Sequence, residues 1–555
     1  MWTTDPIAML ARASAALMLS AAAVGCAEQT QTQTAAATVD EAPSAPQVAA
    51  PSGTYEGVAF EGIAEFRGIP YAKPPIGALR FQAPQAPDAS SEVIDATRYG
   101  EAAVQMSAGA GAAAYPGEIG AAMAQAFAPP EGLNPGGDEN SLVLNVHTPA
   151  TDEGARPVMV WLHGGGFSYG QAASMIYRGT NLARNHDVVV VGVNHRLNVF
   201  GYLGLDSAGV PGFEGSANAG MLDIVMALEW VRDNIASFGG DPDNVTIFGQ
   251  SGGGAKVSTL MAMPAAEGLF DRAIIQSGAG IRALETDDAV ATAEAFLAAL
   301  DIAPEEAAAK LPELSVEEVL AAASEIGTRN FRPSIDGEHL PRHPFEPDAS
   351  PLASDVPLLI GFTKDERTLY NVGRESWYDT TDEDVMAAAE RLFPGRAAEA
   401  VSAYQALYPD YDAKYTLMQV TGTTPHVISA NLLASRKSAQ PAPVYSWVFA
   451  HDLPTDDGLL KSPHTAEIPY VMDNVGVAPI FAGDSPDDFK VEDLVSEAWV
   501  NFARTGDPNT SALPEWPEYT PDTRATMWLS TEPVLVEQPF EEIWALRDIV
   551  VSDRW

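Results

Sequence analysis

Cysteine is almost absent from this sequence: Cys26 is the only one in 555 residues. A single thiol excludes intramolecular disulfides and any metal site built on several cysteines. Basic residues are scarce too. Lysine and arginine number 31 against 75 aspartates and glutamates, a formal net charge of −44. Nucleic-acid binders must neutralise phosphates, so that balance argues against nucleic acid as a partner. It argues equally against adsorption to anionic lipid headgroups. The negative field favours neutral or cationic ligands over anionic ones, and the acidic surface serves solubility. No apolar run approaches the roughly 20 residues of a membrane helix. No tandem period of roughly 20–50 residues appears, which argues against a solenoid or propeller. Hydrophobic residues make up 46% and charged residues 19%, a balance that excludes global disorder. At about 150 residues per domain the length allows three or four domains, although large α/β enzymes often run as one enlarged unit.

Targeting signals come first along the chain. Ala13 to Val24 is apolar and follows Arg12. At about 12 residues it is too short to span a bilayer and fits the apolar region of a signal peptide. It ends in Ala23-Val24-Gly25-Cys26, which resembles the lipobox of bacterial lipoproteins, where the cysteine thiol is diacylated and the chain is cut just before it. Ala23 departs from the more usual leucine, and Asp5 weakens the basic start. The competing expectation is ordinary secretion, periplasmic or extracellular, with an incidental cysteine. From Ala27 the composition shifts to Gln, Thr, Ala and Pro with no apolar period, the signature of a tether. The expected division is residues 1–25 signal peptide, 26–52 tether and 53–555 folded body.

Beyond the tether, β-like runs alternate with helical patterns, which predicts an α/β fold around one sheet. Pro157 to Leu162 (PVMVWL), Val188 to Val193 (VVVVGV) and Asn244 to Phe248 (NVTIF) read as strands. RAIIQS, VPLLIGF and VYSWVF are further candidates. Met221 to Phe238 reads as a helix stopped by Gly239-Gly240. Asp287 to Ile326 reads as surface helices, and Met106 to Pro135, rich in Gly, Ala and Pro, as a long loop insertion near a site entrance.

Strand NVTIF runs into Gly249-Gln250-Ser251-Gly252-Gly253 and then a helical stretch from Gly254 to Met263. This is G-x-S-x-G in a strand–turn–helix context. There a sharp, strained turn lifts the serine hydroxyl clear of the sheet and onto a helix N-terminus. Strand PVMVWL ends in His163-Gly164-Gly165-Gly166-Phe167. Consecutive glycines let backbone N–H groups approach a developing oxyanion, where loss of one donor costs about 3 kcal/mol of barrier. His163 precedes that loop and reads as a stabilising residue rather than a proton carrier. A base and an acid must follow the serine in the chain. His464, in Lys461-Ser462-Pro463-His464-Thr465-Ala466-Glu467, and His451, directly after VYSWVF, are rival bases; His339, His343 and His426 are weaker. Strand VPLLIGF ends in Thr363-Lys364-Asp365-Glu366, so Asp365 and Glu366 are both candidate acids at the sheet's C-terminal edge.

These blocks, taken together, resemble the type-B carboxylesterase family, the cholinesterase-like branch of the α/β-hydrolases. FRGIPYAKPPIGALRF (Phe66 to Phe81) opens the resemblance. SLVLNVHTP, WLHGGGFSYG, VNHRLNVFGYLGL, NAGMLDIVMALEWVRDNIASFGGDPDNVTIFGQSGGG, IGFTKDE, PHTAEIPYV and WVNFARTGDPN follow in order. The resemblance implies an α/β-hydrolase fold: a central, mostly parallel sheet flanked by helices, with large loop and helical insertions. It implies Ser251 as nucleophile, Glu366 as acid and His464 as base, with the N–H groups of Gly165, Gly166 and Gly252 as the oxyanion hole. It also implies structural ion pairs Arg80–Glu139 and Arg196–Asp223. The implied activity is hydrolysis of a neutral small-molecule ester through an acyl-enzyme, with no metal or organic cofactor. An amidase or lactonase on the same residues, or a catalytically dead binding module, are the other readings.

Four departures stand out. Gln250 replaces the glutamate that often precedes the nucleophile, which predicts weaker stabilisation of an imidazolium and of cationic substrates. Gly252 replaces alanine. Arg367 stands where the family has glycine after the acid. The usual N-terminal disulfide is missing: Ser141 occupies one cysteine position and no partner lies near Val104. That leaves the 106–135 insertion expected to be mobile. The lipid anchor has its own test. The native protein is expected to partition into detergent and a Cys26→Ala variant into the aqueous phase; a variant still bound to membranes rules the anchor out.

Overall fold

The structure is a computed structural model that describes residues 45–88, 90–105, 115 and 117–550. The signal peptide, Cys26 and most of the expected tether lie outside the described residues, as does the Met106 end of the insertion. Strands β1 (Gln47–Ala50), β2 (Gly53–Glu56), β3 (Val58–Phe60), β4 (Ile63–Pro70) and β5 (Val93–Asp95) come first. They are followed by β6 (Val143–Thr148), β7 (Arg156–Leu162), β8 (Val189–Val193), β9 (Gly240–Gln250) and β10 (Arg272–Gln276). The last are β11 (Leu358–Thr363), β12 (Val444–Phe449), β13 (Thr526–Leu529) and β14 (Val534–Val536). A small sheet has the order β1-β2-β5, and an 11-stranded sheet runs β14-β13-β12-β11-β10-β9-β7-β8-β6-β4-β3. From β8 to β13 all pairings are parallel. The strands outside that run, at either edge, pair antiparallel.

The apolar runs in the sequence are continuous because both faces of the central strands are covered. Alternate side chains of β7 show this: Val158, Val160 and Leu162 enter one core, Met159 and Trp161 the other. In β12, Val444 and Val448 face the first core while Tyr445, Trp447 and Phe449 face the second. The helices that matter here are α1 (Gly117–Phe127), α2 (Ala219–Asn234), α3 (Gly252–Leu260), α4 (Thr286–Ala299), α5 (Val316–Ile326), α6 (Thr424–Lys437) and α7 (Pro486–Thr505). Met221, Ile224 and Leu228 of α2 fill the first core, and Val491, Val495 and Trp499 of α7 the second. Gly239, at φ +82°, ends the turn of 3-10 helix that extends α2.

Two expectations need correction. The tether does not reach residue 52. Gln47–Ala50 pairs antiparallel with β2, and Val48, opposite Tyr55, is only 4% exposed. One buried side chain in a four-residue, alanine-rich, proline-flanked stretch is too short a signal to register as a strand. Nor is the 106–135 segment all loop. Gly117–Phe127 is helical and buries Ile119, Ala122 and Ala126, a small-residue face whose spacing the surrounding Gly, Ala and Pro obscure. Helices α4 and α5 do lie where surface helices were expected, although Ala293, Phe296 and Val319 are core residues.

The two ion pairs that the resemblance implies are both present. Arg80 Nε and Nη2 bond Glu139 at 2.6 and 2.7 Å. Arg196 Nε and Nη2 bond Asp223 at 2.8 and 2.6 Å, and the Arg196 backbone N–H donates to the same carboxylate at 3.0 Å. Asp223 is fully buried, so removing its charge strands a guanidinium in the interior. Asp223→Asn is therefore expected to destabilise the fold by about 3–5 kcal/mol, measured as a lowered urea midpoint; a shift within error would show the pair to be dispensable.

Candidate active site

The site is assembled at the C-terminal ends of β7, β9, β11 and the loop after β12. Ser251 follows β9 directly and has φ 57° and ψ −121°, a conformation that costs a non-glycine residue backbone energy. Its backbone N–H is held at 2.7 Å by the Gln276 carbonyl at the end of β10. The turn is as tight as the motif predicts. A Cβ on Gly253 would overlap the Leu162 carbonyl oxygen, and one on Gly252 would overlap Gly166. Helix α3 therefore starts against the end of β7, and Gly252 lies on the Gly164–Gly166 loop. Among the described residues, the N–H groups of Gly165, Gly166 and Gly252 donate no hydrogen bond within the protein.

Glu366 and His464 are brought together by pairing between two loops. Lys364 N–H donates to the Phe449 carbonyl at 2.9 Å, Asp365 N–H donates to the Ser462 carbonyl at 2.8 Å, and Asp365 bridges Pro463. That register points the two neighbouring acids in different directions. Glu366 Oε2 lies 2.5 Å from His464 Nδ1, and its Oε1 accepts from Thr363 N–H at 3.0 Å. Asp365 instead accepts from Tyr411 Oη and Gln419 Nε2, each at 2.8 Å. Burial alone would push Glu366 up, but His426 and His464 outweigh it and hold the carboxyl down at about 2. Burial pushes Asp365 up to about 6. The rival base His451 lies elsewhere, with Nε2 2.7 Å from Asp488 Oδ1.

His464 Nε2 faces the serine turn. Its partner there is the Gln250 side-chain amide at 3.2 Å, immediately before Ser251. Since ionised Glu366 accepts a hydrogen bond from Nδ1–H, Nε2 is an acceptor and the amide N–H is its donor. Ser251 Oγ makes no hydrogen bond among the described residues. A cavity of about 280 Å³ opens over the turn, lined among others by Gly166, Phe167, Ser251, Gly252, Ile281 and His426.

Two features of the site, Glu467 and Lys256, were not singled out in the sequence, and a third, His426, was weighed only as a weaker base. His426 is the third residue of α6, and its Nδ1 lies 3.6 Å from Glu366 Oε1; its only sequence signal was its place at the start of a helical pattern. Glu366, His426 and His464 present ligand-type atoms within 4.8 Å of one another, atoms that the Glu366 contacts already engage. Glu467 is buried, accepts from Gln276 Nε2 at 3.1 Å, and is pushed up to about 7 by burial and by the charge of Glu366. Lys256, on the second turn of α3, is fully buried beneath the Gly164–Gly166 loop. His163, expected to stabilise the loop, is buried with its Nδ1 2.8 Å from the Gly164 carbonyl, and burial and the neighbouring Lys256 depress it to about 3. Arg367 lies across Gly422, where any Cβ would overlap its side chain, and its guanidinium sits 5.4 Å from the Tyr370 ring centre.

Comparison with known proteins agrees with this architecture. The model of the carboxylesterase family matches residues 44–543. The para-nitrobenzyl esterase of Bacillus subtilis is 36% identical over 503 residues, covering 88% of this chain and 96% of that protein. The phenmedipham hydrolase of Pseudarthrobacter oxydans is 33% identical over 495 residues, covering 87% and 94%. The crystal structure of a Geobacillus stearothermophilus carboxylesterase superposes with a TM-score of 0.76 at 35% identity, over 90% of this chain and 99% of that one. The chain belongs to the carboxylesterase family, with its α/β-hydrolase fold, and is a carboxylic ester hydrolase.

Proposed function

We propose that the protein is a serine esterase that cleaves a neutral small-molecule ester through an acyl-enzyme on Ser251. The observation that carries the reading is the convergence of Glu366, His464 and the strained serine turn beside three unengaged backbone amides. Ser251 Oγ swings to His464 Nε2, displacing the Gln250 amide, and attacks the ester carbonyl carbon as its proton passes to Nε2. Glu366, ionised throughout the working range, holds the ring by its Nδ1–H and stabilises the imidazolium. The carbonyl oxygen becomes anionic against the N–H groups of Gly165, Gly166 and Gly252. Collapse breaks the C–O bond, and the alcohol leaves with the proton from Nε2. Water then repeats the sequence on the acyl-enzyme, giving the acid and free Ser251.

The chain's acidic surface supports a neutral rather than an anionic substrate. Export, with Cys26 as a lipid attachment point, is part of the same proposal and rests on the sequence alone.

A fluorophosphonate probe is expected to label the wild type and not Ser251→Ala; labelling that survives the substitution overturns the reading. Matched ester and amide analogues are expected to show faster ester cleavage; the opposite order favours an amidase. Gln250 yields a separate expectation. Gln250→Glu removes a donor that competes with Ser251 and adds a negative charge beside the imidazole. The acid limb of the rate profile should move to higher pH, and cationic esters should gain relative to neutral ones. An unchanged profile and unchanged preference would show that Gln250 has no such effect.

A further inference from the structure

Lys256 is an unusual residue to find in an interior. Lysine is almost never fully buried unless paired, yet here the side chain is wholly inaccessible. Its ammonium donates to two backbone carbonyls, His163 O at 2.9 Å and Gly166 O at 3.0 Å. Both carbonyls belong to the loop whose amides are proposed to hold the oxyanion. Nζ also lies 5.5 Å from the Phe167 ring centre, at the far end of the same loop. The titratable groups that face it are His163 and His195, stacked at 4.9 Å between ring centres. Both are buried and held below their ordinary range, in part by Lys256 itself, so neither supplies a counter-charge. No carboxylate among the described residues offsets its burial.

A methionine or leucine would fill this space without the cost of desolvating an ammonium. A neutral side chain with two donors would suffice to hold two carbonyls. The geometry asks what a cation adds, and its position answers. The Gly166 carbonyl is tied to Nζ, and Gly166 packs on Gly252, so the ammonium stands one peptide behind two of the three proposed donors.

We propose that Lys256 is a positioning residue for ester hydrolysis: it pins the Gly164–Gly166 loop by two carbonyls and places a positive charge behind the oxyanion as it forms. The proposal rests on the serine reading above and adds to it a residue that touches neither substrate nor reacting atoms. Its charge matters more in the transition state than in the ground state, so it acts on kcat rather than on KM. Burial pushes the amine down to about 7. The neutral amine keeps donors for both carbonyls, so raising the pH removes the charge and leaves the loop pinned.

The test compares kcat for a neutral ester between wild type, Lys256→Met and Lys256→Gln from pH 6 to 9. The ratio to wild type cancels the titration that the variants share. At pH 6 both variants are expected to lose about ten-fold or more in kcat, with KM within about two-fold. The deficit should shrink as the pH rises, because the wild type loses its own charge there. A ratio that stays flat with pH, or a Lys256→Gln enzyme equal to wild type at pH 6, overturns the assignment. Should Lys256→Met fail to fold, judged by its circular dichroism and thermal transition, the Lys256→Gln comparison carries the same two outcomes. Fluorophosphonate labelling of the wild type is run alongside. Absence of labelling at Ser251 defeats the serine reading itself, whereas labelling with a flat ratio defeats only the role of Lys256.

Discussion

Everything at the site depends on how closely two segments of backbone approach each other. The end of β7 and the start of α3 touch through peptide groups alone, Gly253 on Leu162 and Gly252 on Gly166. Side chains there would wedge the segments apart. Contact at that range sets the unengaged amides of the loop beside Ser251, and it also holds Ser251 in its positive-φ conformation, because the turn has no room to relax. The energy stored in that conformation is held by the parallel strands on either side, β7 and β10, which pair with β9 up to the turn.

The same small volume treats three carboxyl groups in different ways. Glu366 faces two imidazoles and stays ionised well below the usual range; Asp365 and Glu467, also buried, are pushed upward. Composition is identical in kind across the three, and only the neighbours differ. A site in which one acid is held down while its neighbours are pushed up needs specific partners rather than general polarity. The overall charge of −44 says nothing of this, because most of those carboxylates lie on the surface, where water screens them.

Much of this could be read along the chain. The central strands announced themselves as continuous apolar runs because both faces are buried, and the serine turn by the glycines that flank it. Glu366 could not be told from Asp365 by local means, since the choice is made by a register between loops nearly a hundred residues apart, Asp365 against Pro463. His464 and His451 were rivals for the same reason; the structure gives one Glu366 and the other Asp488. His426 was weighed only as a weaker base, and Lys256 escaped notice because helical periodicity assigns polar residues to the solvent side, and here packing against the site overrides it. Strand β1 was hidden by its length, four residues with one buried side chain.

The contact between Arg367 and Gly422 has a consequence for how this protein can change. Arg367 adjoins Glu366 in sequence, and Gly422 lies in a π-helical turn, Gln419–Thr423, that leads into α6 and so to His426. The long stem of one fills the space that the bare backbone of the other leaves open. The two positions constrain each other: a larger residue at 422 meets the arginine stem, whereas a smaller one at 367 frees room for a side chain at 422. Changes to this wall of the site therefore have an order: the side chain at 367 must shrink before the one at 422 can grow.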